Sequence, residues 1–80
     1  MVPEWQRGDR ITAEGVGALT VVGVYRDDEA GDVEVDVQAD RECDIWDADK
    51  LAKATGATAA SWLSGVVEPR YRLYFAAAES

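Results

Sequence analysis

Between residues 33 and 38 apolar and polar side chains alternate without a break, Val33, Val35 and Val37 against Glu34, Asp36 and Gln38. A period of two places the valines on one face of a β-strand and the polar groups on the other, as in an antiparallel sheet with one wet face. The acids on that wet face also discourage edge-to-edge aggregation. The alternation returns over residues 70–75, where Tyr71, Leu73 and Phe75 face one way and Arg70, Arg72 and Tyr74 the other. Residues 19–25, dense in Val21, Val22 and Val24, predict a strand covered on both faces. It should pair with residues 33–38 as a hairpin across the charged loop 26–32. Gly23 inside it predicts a bulge or a sharp bend. A short strand over residues 10–13 follows the Gly8-Asp9 turn and leads into a tight reversal at Gly15-Val16-Gly17.

The middle of the chain changes period. Residues 43–46 can form a further short strand. Asp47 then stands where a helix N-cap belongs, with Asp49 in the first turn, Lys50 and Lys53 later, and Gly56 just past the end. This predicts a helix of about two turns over residues 47–55. A second helical piece is expected over residues 58–64, with Thr58 as cap, Gly65 as stop, and Trp62 and Leu63 on an alanine-rich segment. The two pieces make a helical insertion over residues 47–64, before the last strand. Pro69 bars a central ladder position at the turn that follows. Residues 76–80 read as a frayed tail. No repeat or linker interrupts the chain, and 80 residues predict one small domain with a thin core. Trp5, Trp46, Trp62, Tyr25, Tyr71, Tyr74 and Phe75 can supply most of that core.

Trp5-x-x-Gly8-Asp9-x-Ile11, the glycine turn, Thr20-Val21-x-x-Val24, the acidic loop and Val33-x-Val35-x-Val37 together resemble small Src-homology-like barrels. The likeness is to the ribosomal and transcription-factor type, in which a Gly-Asp pair opens the first strand and a valine-rich strand follows a glycine turn. It covers residues 5–46. The resemblance implies a mainly β fold, a small antiparallel barrel, from which the insertion at 47–64 is a departure. It also implies an interaction module that binds peptides, ribonucleoprotein surfaces or neighbours in an assembly. Nucleic-acid-binding versions use basic loops, whereas this chain carries acids there.

Charge narrows the function classes. The chain has 16 Asp and Glu against 8 Lys and Arg, no histidine, and a formal net charge of -8. That argues against a phosphate backbone as partner and removes the commonest catalytic base. Two explanations fit the acids: a specific acidic face, or adaptation to strong salt, where self-repulsion is screened and surface carboxylates preserve solubility. Scarce lysine and acids scattered from Glu4 to Glu79 favour the second, since dispersed like charge is ordinarily a solvated surface. The composition resembles that of proteins from salt-loving archaea and their viruses, and GC-rich actinobacterial phages drift the same way. The apolar run at residues 18–25 is far short of a membrane span, and the N-terminus lacks the basic-then-apolar order of a signal peptide. A cytoplasmic or virion-associated protein is expected.

Catalytic and metal chemistry find little support in the residues. Cys43 is the lone cysteine, so an internal disulfide and a thiolate cage are both excluded. Its neighbours Glu42 and Asp44 disfavour a nucleophilic thiolate and suggest a structural role. Asp40, Asp44, Asp47 and Asp49 form one acid cluster, and Asp27, Asp28 and Asp32 another. Neither has the alternating ligand ladder and terminal glutamate of a calcium loop, so solvated carboxylates are expected, with no metal and no cofactor. Ser61 and Ser64 have no base nearby in sequence, and Gly15-Val16-Gly17 is too short to cradle phosphate.

Partner surfaces are the candidates that remain. Trp46 and Trp62 flank the insertion, and Arg70, Arg72 and Tyr74 lie on the outward face of the last strand; these residue types dominate interface energetics. The alternatives are that the tryptophans fill the core and that the arginines answer carboxylates across the sheet. The expected function is a non-enzymatic structural or adaptor module, part of a homo- or hetero-oligomer such as a small component of a tailed-virus particle. It would contact other protein subunits, with no direct nucleic acid and no membrane. The alternative is an acidic nucleic-acid mimic in which Glu34, Asp36, Asp40 and Asp44 imitate phosphates for a basic partner.

Overall fold

The computed structural model describes residues 3–42 and 47–77. Five strands and one helix follow in the order β1 (Arg10–Ala13), β2 (Gly17–Arg26), β3 (Val33–Ala39), α1 (Ala48–Thr55), β4 (Ala59–Ser64) and β5 (Arg70–Phe75). The strands form a single antiparallel sheet in the spatial order β1-β2-β3-β5-β4, so the fold is mainly β.

The alternation at β3 sets the faces. Val33, Val35, Val37 and Ala39 are buried while Glu34, Asp36 and Gln38 lie half-exposed on the other side. β2 pairs with β3 as a hairpin, with Val21 opposite Val37 and Val24 opposite Val35. The register slips between Val21 and Gly23, so Val22 is the extra residue of a bulge. Gly23 also makes room, because a Cβ there would sit 3.0 Å from the Tyr25 hydroxyl, whose ring lies back along the strand. β5 pairs with β3 on its other side, and Tyr71, Leu73 and Phe75 extend the buried face. Beneath it α1 contributes Leu51, which is 0% exposed. Trp5 closes one end of the core, edge-on to Phe75 at 5.7 Å between ring centroids.

Four expectations need correction. β2 is covered on one face only: Leu19 and Val21 are buried, but Tyr25 is 55% exposed, because helical cover reaches a single side of the sheet. The sheet does not close into a barrel. β1 and β4 are its two edges and do not pair with one another; α1 packs against both and contributes Leu51 to the core. Residues 58–64 are not helical. They include the strand β4, whose Ala59 and Ser61 stand opposite Tyr74 and Arg72 while Ala60 and Trp62 stand opposite Leu73 and Tyr71. Pairing with β5 overrides the local preference of alanine, as strand context commonly does. The insertion is therefore one helix and one strand.

The helix itself lies where its caps place it. Gly56 ends it in the left-handed region, φ 78°, with its N–H on the Ala52 carbonyl, although Asp47 makes no side-chain cap bond. The expected strand at residues 43–46, with Cys43, Asp44 and Trp46, lies outside the described residues. No helix among the described residues is long and apolar enough to cross a membrane.

Candidate interaction surfaces

The first surface is the uncovered face of the sheet. Three cross-strand rows run over it: Tyr25–Glu34–Tyr74–Ala59, Gly23–Asp36–Arg72–Ser61 and Thr20–Gln38–Arg70–Ser64. Arg72 is the hub. It donates to both carboxylate oxygens of Asp36 at 2.8 and 3.1 Å, lies 3.8 Å from Glu34, and its guanidinium carbon is 5.7 Å from the centre of the Tyr25 ring. The Asp36 hydrogen bond is the main cause that holds its guanidinium protonated more firmly than usual. Arg70 donates to Gln38, which in turn donates to Glu68. Arg10 donates to Asp40 and, at 3.0 Å, to Thr20.

Tyr74 is held from the side of the loop. Its hydroxyl donates to Asp32 at 2.8 Å, while the Ala77 backbone N–H donates to the other oxygen of Asp32 at 2.7 Å. These two bonds, the Ala77 one first, hold the Asp32 carboxyl below its usual range. The bond to Asp32, followed by burial, raises the Tyr74 phenol above its ordinary value. A hollow of about 240 Å³ opens here between Tyr25, Glu34 and Tyr74, and a second of about 210 Å³ continues from Glu34 and Tyr74 to Ser61.

This face is busy with itself. The expected contact residues Arg70, Arg72 and Tyr74 do share it, and each is engaged by a neighbour on the sheet or its loop, in the cross-strand manner. Among the acids expected to imitate phosphate, Asp36 and Asp40 each hold an arginine and Glu34 lies near one; Asp44 is outside the described residues. Asp27 is occupied too, accepting the Glu29 and Ala30 N–H groups of its own loop. Among the described residues, no three ligand-type side chains converge as a metal site would require.

The second surface is the β4 rim. Trp62 is not on the face that carries Arg72 and Tyr74. It stands opposite Tyr71, on the helix side of the sheet, 42% exposed, with its indole N–H donating to the Gly65 carbonyl at 2.9 Å. Leu63, in the register slip of β4, is 37% exposed; Val66 and Val67, in the turn to β5, are each 70% exposed. That turn is tight: Gly65 has φ 87°, and a Cβ on it would lie 3.1 Å from the Glu68 carbonyl oxygen. Five of the six residues of β4 are exposed, and its ladder runs to β5 alone.

Leu63, Val66 and Val67 are contact candidates that the pattern of aromatics and arginines does not single out. A simpler signal points to them. Residues 54–67 carry no charged side chain, the longest such run in a chain that is 30% charged. The other long neutral run, residues 15–25, becomes β2 in the middle of the sheet. The run at 54–67 instead supplies an edge strand and the turn that follows it.

No protein-family model, no characterised protein and no solved structure matches the chain.

Proposed function

We propose that this chain is a non-enzymatic structural or adaptor module, and that it packs against other protein subunits through the neutral rim formed by residues 54–67. One observation carries the reading. In a molecule of net charge -8, the longest uncharged run forms an exposed strand edge and turn, with Trp62, Leu63, Val66 and Val67 showing apolar surface. Edge strands are ordinarily guarded by charge, proline or brevity, because their free N–H and C=O groups invite another strand. β1, the other edge, is four residues long and starts at Arg10. β4 has a register slip but no charge, and its neutrality lets a partner cover it without burying an ion.

A component of a larger assembly, such as a tailed-virus particle, is the setting we favour for such a module, with the remaining acids as a solvated exterior. The acidic-mimic alternative draws less support, because Asp36 and Asp40 are already answered by Arg72 and Arg10. Salt separates the two readings. A complex isolated from the native source should survive transfer from about 0.1 M to about 1 M salt, where the screening length falls from about 10 to about 3 Å. It should be lost when Val66 and Val67 are both replaced by lysine. A complex that dissolves in salt and ignores the double substitution would favour the mimic.

A further inference from the structure

We draw no further inference here: the strongest candidate, the hollow between Tyr25, Glu34 and Tyr74 on the open face of the sheet, is an acidic cluster already engaged by its own sheet and loop, and nothing in the structure shows what would fill it.

Discussion

Asp32 shows how much one carboxylate organises. It holds Tyr74 and the Ala77 backbone together, tying the end of β5 to the loop before β3. Asn in its place keeps the shape and removes the charge, so Tyr74 should then ionise nearer the ordinary tyrosine value of about 10, read from phenolate absorbance. The signs of the two linked effects differ. Asp32 is held low, so its contribution is present above the ordinary carboxylate range and lost as the pH falls through its lowered value. Tyr74 is held high, so its contribution is complete below about pH 10 and lost as the pH rises through its raised value. Leu51 is the corresponding apolar residue, the one α1 side chain with no exposed surface. Leu51→Ala should lower unfolding stability by about 2–4 kcal/mol in a denaturant titration, through lost burial and the cavity left behind.

Among the elements, β3 and β5 are readable from sequence because each has one wet and one dry face, and the alternation reports it directly. Gly23 announces its bulge for the same local reason. β4 is different. Its Ala, Ser and Trp residues carry little periodic signal, and Gly65 marks an end without saying an end of what. Whether that segment is helix or strand is decided by β5, which comes later in the chain and offers it a ladder. The sheet's openness is equally non-local, since it depends on where α1 lodges. The open-face residues Arg70, Arg72 and Tyr74 follow from alternation, and so do their cross-strand partners. The rim was hidden, because a helix over residues 58–64 leaves no strand edge to expose. At this scale the ion pairs should rank by burial. Asp36, whose side chain is 13% exposed, should cost about 1 kcal/mol when changed to alanine, whereas the more exposed Asp40 should cost close to nothing.

For the whole molecule, the acids form a surface on which like charges repel one another, and the neutral rim interrupts it. That repulsion acts within a single molecule. Its net charge of -8 should make the melting temperature rise from dilute to molar sodium chloride as that repulsion is screened. A melting temperature indifferent to salt would mean that the carboxylates are already balanced locally, as Asp36 and Asp40 are. The distinction between the rim and the open face is the claim on which the rest stands, and amide hydrogen exchange of the native chain tests it most directly. Between the free chain and its complex with another protein subunit, protection should rise at residues 59–64 and stay level at residues 10–13 and across β3. Protection that grows on β1, or leaves residues 59–64 as open as before, would contradict it.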